Sequence, residues 1–440
     1  MNAEPVAPSP STSMHERSEI SSKMMPWTLY SEQRRWVMLA LLSVVYASSG
    51  FDVYVFGILF EPIRHDFHLS DALLGFLSGV CLLVPYALVA LPVARWAERG
   101  DRRLIVTLAL GLWSLMTALC GLAQSFWQLA IARAAVGAGE SGSIPTAQSL
   151  IADYFPPEQR GRAFGIWYAA ASPATLLGYA MGGYLTTSLG WRMALIVAGL
   201  TNLPLALVSY LGLREPRRRL GFPMAGERES FRESMRKLRT KASFVYLLAA
   251  CVLYSFGFGA VVFIPSFMIR SLHVSLAETG LAFGIVLSVA SLLGQSGGGW
   301  LADRLAKRDV RWLAWLAGLA YAVGGALQAI ALIATTDQRF LVLTFCALTI
   351  IMLGLAPLVA GVHAVCGQSR RATAVALVLF TGVLFGAAGQ YATGVLSDVF
   401  GLHDAVGGLR YALMAMMLPI LLAGPLLLAG ARALSADIEA

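Results

Sequence analysis

Two opposite charges stand close together in an otherwise apolar stretch of small residues, RAAVGAGES (133–141). In a helix, Arg133 and Glu140 share one face and lie about 10 Å apart along the axis. A charge at the centre of a bilayer costs roughly 2.5–3.5 kcal/mol, so each of these residues needs a partner or water. Ionisable groups kept at such a cost commonly bind protons or ions, and this stretch is the first candidate for a functional site.

Asp52 is a third ionisable residue in an apolar run, SSGFDVYVFG (48–57). At 1.5 Å per residue, Asp52 lies about 12 Å below the outer end of its helix, and Arg133 lies about 9 Å below the outer end of its own. Because the two residues share a depth in the membrane, we predict that they pair. The pair would keep Asp52 charged, whereas a dry Asp52 without its partner would stay protonated. Protonation would release Arg133 to a substrate anion, as a proton-coupled carrier requires, and Glu140 is a candidate for both proton and substrate binding. The alternative is a structural ion pair that fixes helix register.

The composition excludes a water-soluble globular protein. Hydrophobic residues make up 57% of the 440 residues, charged residues make up 13%, and the mean hydropathy is +0.68. Apolar runs of about 20 residues, each long enough to cross a bilayer, recur along the chain. They predict an all-α membrane protein with twelve spans, at 37–60, 71–93, 104–122, 127–152, 162–186, 191–213, 244–269, 276–302, 312–333, 340–367, 372–396 and 409–431.

Basic residues indicate how the chain is oriented. Most of the 33 Lys and Arg fall on one side of the predicted spans, which the positive-inside rule assigns to the cytoplasm together with both termini. The same bias explains the net charge of +8, so no nucleic-acid partner is expected. The predicted organisation is a disordered tail (1–30), a six-helix bundle (31–213), a basic linker (214–243), a second six-helix bundle (244–432) and a short tail (433–440).

The two halves of the chain resemble each other. ARWAERGDRR (94–103) recurs as GWLADRLAKR (299–308), and WRMAL (191–195) recurs as LRYAL (409–413). Such a repeat predicts two pseudo-symmetric bundles of like orientation that flank a binding site near the membrane midplane, so that one bundle can rock against the other.

An acidic residue followed by Arg and a basic cluster, after span 2 and again after span 8, resembles the signature of the major facilitator superfamily. The resemblance covers the whole membrane region and implies the fold of that family. An acid and an arginine at a helix end can pair with a neighbouring helix terminus and latch one conformation. On this basis we predict a gating role, with a purely topogenic charge cluster as the alternative, for Glu98, Arg99, Arg102, Arg103, Asp303 and Arg304.

The sequence of span 4 is similar to one branch of this superfamily, the bacterial spinster-like transporters. The similarity lies in the G-x-G-E run (137–140) and the P-x-x-x-S-L-I-x-D-Y-F-P stretch (145–156). It implies proton coupling through the Asp of span 1 and the Arg of span 4, to which Asp52 and Arg133 correspond, and Glu140 matches the branch as well. It also implies lysolipid, sphingoid or other amphipathic cargo.

The second half offers walls for such cargo. Tyr254 and Phe258 lie in an aromatic, glycine-rich stretch of span 7 that we predict to act as a hinge, and Ser291 and Gln295 belong to a polar stripe on span 8. No acid or Arg of this half matches the buried charges of spans 1 and 4, so we expect it to supply apolar and aromatic surface. Lipid-facing aromatics and hydrogen bonds between spans are the alternatives.

These residues favour a secondary carrier, a proton symporter that moves an amphipathic organic anion or zwitterion by alternating access. The alternative is a carrier of small organic acids or drugs, and a non-transporting membrane sensor is less favoured because the tail and the linker are short. No enzyme activity, cofactor or metal site is expected, since no nucleophile–base pair is present and the five cysteines lack metal-ligand spacing. We expect a monomer in the bacterial inner membrane, whose partners are the small-molecule substrate, protons and membrane lipid.

Overall fold

The computed structural model describes residues 25–216, 231–366, 370–404 and 407–437. Within these ranges the chain forms helices and no strands, and the helices make up twelve rods that lie side by side. Ten of the rods are long and apolar enough to cross a membrane by length and composition alone. The predicted class, an all-helical membrane protein with twelve spans, is confirmed.

Six rods make up the N-terminal half. Spans 4 and 5 are each broken in two, at residues 141–142 and at Ala170, and neither is among the ten. A short helix, Phe60–Phe67, connects spans 1 and 2. The bounds are Glu32–Ile58 for span 1; Asp71–Gly75, a π-helical turn Phe76–Val80 and Cys81–Arg99 for span 2; Arg102–Gly121 for span 3; Phe126–Glu140 and Ser143–Tyr154 for span 4; Pro157–Ala169 and Ala171–Leu189 for span 5; and Trp191–Gly212 for span 6.

The other six rods make up the C-terminal half, which follows a linker helix, Phe231–Arg239. Span 7 changes to a 3-10 helix at its centre, next to a glycine and shortly before a proline, as the predicted hinge requires. The bounds are Ala242–Phe258, the 3-10 helix Gly259–Phe263 and Ile264–Ser271 for span 7; Leu276–Ala306 for span 8; Trp312–Ala331 for span 9; Asp337–Leu353 and Leu355–Val365 for span 10; Arg371–Gly401 for span 11; and Gly408–Ala415 and Met417–Asp437 for span 12.

Polar side chains fix the starts of several spans. Ser70, Asp101 and Ser125 each accept a hydrogen bond from the backbone N–H three residues ahead, at the starts of spans 2, 3 and 4. Span 8 begins with a capping box, in which Ser275 and Glu278 satisfy each other's backbone N–H groups. Because the first N–H groups of a helix have no partner within it, these caps define where each span begins.

The two halves meet along two seams of small residues. Span 5 packs on span 8, and span 2 packs on span 11. A Cβ on Gly75 of span 2 would collide with the carbonyl of Gln390, and a Cβ on Gly280 of span 8 would collide with the carbonyl of Tyr179. Since only a residue without a side chain lets two helix backbones approach this closely, both seams require glycine at these positions.

We call the two ends of the bundle the linker side and the far side. The linker side carries the linker helix and a short 3-10 helix, Pro26–Leu29, after which Tyr30 packs edge-on against Tyr154 at the end of span 4. The predicted N-terminal tail is therefore structured at its end. Residues 1–24 and 217–230, which hold most of the predicted tail and of the basic linker, lie outside the described residues.

The C-terminus also lies on the linker side. The helix of span 12 extends to Asp437, beyond the predicted start of the tail at 433, and the Asp437 carboxylate accepts hydrogen bonds from the backbone N–H and hydroxyl of Ser243. Lys241 donates to the backbone carbonyls of Val365 and Asp437. These contacts attach the end of the linker to spans 10 and 12.

Candidate functional site

A cavity of about 380 Å³ lies between the two halves. Spans 1, 2, 4 and 5 line it from one half, and spans 7, 8, 10 and 11 line it from the other. The lining includes five residues that the sequence singled out as substrate contacts: Arg133, Tyr254, Phe258, Ser291 and Gln295. Their shared position makes this cavity the candidate site, and their roles as substrate contacts stay a prediction.

Arg133 is the cation of the N-terminal wall. Its side chain is 1% exposed, and its guanidinium carbon lies 3.9 Å from the centre of the Phe56 ring. Among the described residues it has no ion-pair partner, and its Nε atom donates no hydrogen bond. A desolvated cation–π contact contributes about 2 kcal/mol, which is less than a buried charge costs at the centre of a bilayer. The guanidinium therefore remains available to an anion in the cavity.

Asp52 points away from the cavity, into the N-terminal half. It is fully buried, and its carboxylate accepts hydrogen bonds from Thr117 Oγ1 of span 3 (3.3 Å) and Asn202 Nδ2 of span 6 (3.4 Å). It forms no described ion pair with Arg133, so the predicted direct pair is absent from this conformation. The prediction used the depth of the two residues along their helices, but it did not establish which neighbours the Asp52 side of span 1 faces. Phe56, one turn further along that span, is the residue that contacts Arg133.

Glu140 ends the first segment of span 4, immediately before the break at residues 141–142. It is 5% exposed, its Oε1 atom has no hydrogen-bond partner among the described residues, and it does not line the cavity. Asp52, Arg133 and Glu140 nevertheless lie close enough for their charges to act on one another. The three side chains thus form one electrostatic group, with Arg133 on the N-terminal wall and the two acids behind it.

The C-terminal wall is aromatic. Tyr254 stacks on Phe258 with ring centres 5.3 Å apart, and on Tyr321 of span 9 with ring centres 4.8 Å apart. Span 7 changes to its 3-10 segment directly after Phe258. The stacked rings therefore present a flat apolar surface next to the irregular part of the helix, where span 7 can bend most readily.

Several neutral polar groups complete the lining. Gln390 of span 11 contributes a buried Oε1 atom that has no partner within the described chain, and Ser78 lies in the π-helical turn of span 2. Neither residue was predicted from the sequence to line the site, and nor was Phe56. A lone amide in the apolar run GAAGQYATG was a usable signal for Gln390, whereas nothing in the sequence indicates a π-helical turn at Ser78.

Arg102, one of the predicted gating residues, is fully buried within the N-terminal half. Its guanidinium binds Glu215 through Nε and Nη2 at 3.0 and 2.6 Å, and Asp153 through Nη2 at 2.6 Å. It also donates to Ser149. All these partners belong to the same half, so Arg102 ties the linker-side ends of spans 3, 4 and 6 together. Glu215 and Asp153 were not singled out from the sequence, because ion pairs across spans leave no local pattern.

Three of the other predicted gating residues, Arg103, Asp303 and Arg304, lie at the linker-side ends of their spans. Arg103 stacks on the ring of Tyr210 at 4.4 Å and pairs with Asp101 at 3.6 Å. Arg304 lies over the Trp300 ring, and Asp303 is exposed. The side chains of Glu98 and Arg99 lie outside the described residues. A gating role for this set stays a prediction.

A sequence profile of the Major Facilitator Superfamily matches residues 42–378. The chain belongs to this superfamily. Its helices also superpose on a bacterial homologue of the human lysosomal transporter spinster, with TM-scores of 0.84 for the inward-facing, unoccupied structure and 0.83 for the inward-facing, occupied one. In both comparisons the sequence identity is 25%, and the match covers 93% of this chain and 100% of the other. The resemblance to the spinster-like branch is thus confirmed.

Characterised relatives of this facilitator are transporters. It is 34% identical to an MFS-type efflux pump of Mycolicibacterium smegmatis, over 90% of this chain and 92% of the relative. It is 28% identical to the sphingosine-1-phosphate transporter SPNS2 of Danio rerio, over 86% of this chain and 80% of the relative. The protein is therefore a multi-pass membrane transporter rather than an enzyme, as predicted.

Proposed function

We propose that this transporter moves an amphipathic organic anion or zwitterion together with protons, by alternating access, as a monomer. The observation that carries the proposal is Arg133, a buried cation that has no ion-pair partner among the described residues and lies on the wall of a cavity whose opposite wall is aromatic. Such a cavity fits a molecule with one negatively charged group and an apolar body. One relative is a spinster homologue of Xenopus laevis and another is a sphingosine-1-phosphate transporter, and these names support an amphipathic substrate.

The positive-inside rule supports a bacterial inner-membrane orientation with the linker side in the cytoplasm. Basic residues at the linker side include Arg34 and Arg35 in the first turn of span 1 and Arg236 and Arg239 in the linker helix. The far side then faces the exterior. In this orientation the cavity is reached from the cytoplasm when the far side is closed.

Asp52 is the proposed proton site, and Arg133 the proposed anion site. In the present conformation Asp52 is fully buried, and among the described residues neither Asp52 nor Arg133 has an ion-pair partner. This arrangement suits a protonated Asp52 and a guanidinium ready for substrate. When Asp52 loses its proton, its carboxylate competes with the substrate for Arg133. Glu140 is a second proposed proton site, since it shares the electrostatic field of the other two. When one proton is carried with a zwitterion, the net charge that crosses a potential of 100 mV supplies about 2.3 kcal/mol, enough for roughly fifty-fold accumulation.

Transport by purified protein in proteoliposomes tests this proposal. With an imposed proton gradient, uptake of a labelled lysophospholipid should exceed uptake without the gradient, and a protonophore should remove the difference. Asp52→Asn should lose the response to the gradient but retain exchange of substrate between the two sides. Asp66→Asn is the matched control, because Asp66 is an exposed acid of the same half that pairs with Arg192 at the surface. Gradient-dependent uptake by Asp52→Asn would refute the assignment of the proton site.

A second candidate function is the export of drugs or small organic acids. The 34% identity to the efflux pump over nearly the full length of both chains favours it. The same liposomes distinguish the two functions, because a drug carrier would transport compact aromatic acids and would not be inhibited by lysophospholipids. An amphipath carrier would show the opposite preference.

A further inference from the structure

An ion-pair cluster joins the two halves at the far side, away from the cavity. Arg270, in the last turn of span 7, binds both carboxylate oxygens of Asp71 at 2.7 Å and the carboxylate of Glu61 at 2.8 Å. Asp71 is the first residue of span 2, is 3% exposed, and also accepts a hydrogen bond of 2.6 Å from Ser397 of span 11. One arginine of the C-terminal half thus pairs with two acids of the N-terminal half.

Asp398 of span 11 makes a second connection between the halves, in which the acid belongs to the C-terminal half and the donors belong to the N-terminal half. Its two carboxylate oxygens accept hydrogen bonds from the backbone N–H groups of Asp71 and Ala72, at 2.9 and 2.8 Å. A carboxylate at the start of a helix satisfies free N–H groups and interacts favourably with the helix dipole. The start of span 2 is therefore capped by a residue of the other half.

The backbones themselves touch at this point. A Cβ on Gly394, one turn before Asp398, would collide with the carbonyl oxygen of Asp71. Close packing therefore shields the Asp71 carboxylate, whose side chain is only 4% exposed, from water, and this strengthens its charge-assisted hydrogen bonds. Apart from a bond between Ser288 and Ser172 near mid-height, all described side-chain hydrogen bonds between the halves belong to this cluster. We call Glu61, Arg64, Asp71, Arg270, Ser397 and Asp398 the far-side seal.

Arg64 is a second cation beside the two acids of the far-side seal, and it can replace Arg270 when the seal opens. It belongs to the N-terminal half, is 42% exposed, and lies 3.5 Å from the Asp71 carboxylate and 3.9 Å from that of Glu61. When Arg270 withdraws with its own half, Arg64 is left beside both acids. In the other half, Arg270 and Asp398, which both contact Asp71 in the closed structure, are left to pair with each other. Each half therefore retains an opposite charge after separation, which avoids the large penalty of an uncompensated charge.

We propose that the far-side seal is a charge-exchange latch. In the closed state Arg270 holds Glu61 and Asp71 while Asp398 caps span 2, and in the open state Arg64 takes the two acids while Asp398 takes Arg270. The latch holds the transporter closed at the exterior and sets how readily it opens there. This inference does not depend on the substrate or on the proton site.

Distance measurements between spin labels test the latch. Labels at Ser188 and Gln338, exposed residues at the far-side ends of spans 5 and 10, report separation of the halves in a background without the native cysteines. Arg270→Gln and Asp398→Ala should each raise the ratio of separated to closed molecules about tenfold or more, because each removes bonds made only in the closed state. Arg192→Gln is the matched control, since it breaks a far-side ion pair that lies within one half.

Arg64→Gln gives the most specific result. The latch predicts a shift toward the closed state, because the separated state loses the cation that replaces Arg270. If Arg64 merely strengthened the closed cluster, the same substitution would favour separation, and that result would overturn the exchange. Unchanged distances in both Arg270→Gln and Asp398→Ala, or an equal shift in Arg192→Gln, would overturn the latch itself.

Discussion

The two walls of the cavity differ in kind. The N-terminal wall carries Arg133, with Asp52 and Glu140 buried behind it, whereas the described lining of the C-terminal wall is uncharged and dominated by the stacked Tyr254 and Phe258. The halves share a repeated sequence pattern and a common arrangement of spans, so the difference arises from a few substituted side chains. Under the proposed function, one half recognises charge and handles protons, and the other selects the size and shape of the apolar body.

The largest effect is expected from Arg133→Gln. Removing the cation should lower the affinity for an anionic amphipath by about a hundredfold, because a buried charged partner contributes roughly 2–5 kcal/mol. Binding of an uncharged analogue with the same tail should change little. Isothermal titration in detergent with the two ligands measures both affinities.

The control for that experiment is Arg192→Gln, which removes an exposed arginine of the same half. It should bind both ligands as the wild type does. If Arg133→Gln weakened the anion and the uncharged analogue equally, Arg133 would have a structural role, and the division between the two walls would fail.

A smaller effect is expected from Phe258→Ala on the opposite wall. Loss of the ring should lower the affinity for long-tailed ligands about tenfold, as expected for the burial of one aromatic side chain. The ratio of affinities for charged and uncharged ligands should stay the same. Phe380→Ala, which removes an exposed ring of span 11, is the control. A change in charge selectivity in Phe258→Ala would contradict the separate roles of the two walls.

Local features of the chain were predictable from the sequence. The length and apolarity of each run predicted where the spans lie. The similar charged segments after spans 2 and 8 indicated that the two halves are repeats. Residues such as Tyr254, Ser291 and Gln295 could be assigned to the cavity because each polar or aromatic side chain in an apolar span has few places where it is stable. These predictions depend on one helix at a time.

Contacts between distant helices were not predictable in the same way. The pairing of Asp52 with Arg133 was inferred from depth, but the rotation of span 1 turns Asp52 toward Thr117 and Asn202 instead. The far-side seal joins Asp71 to Asp398 across 327 residues. Nothing near either acid in the sequence indicates its partner, since the packing of the two halves determines it.

The most direct test of the central claim is proton exchange on substrate binding, measured with a pH indicator in weakly buffered detergent solution. If substrate and the Asp52 carboxylate compete for Arg133, adding an anionic amphipath to the wild-type protein should cause it to take up protons. Asp52→Asn should bind the same ligand without that uptake. Equal proton uptake by the wild type and Asp52→Asn, or ligand binding without any uptake by the wild type, would contradict the account.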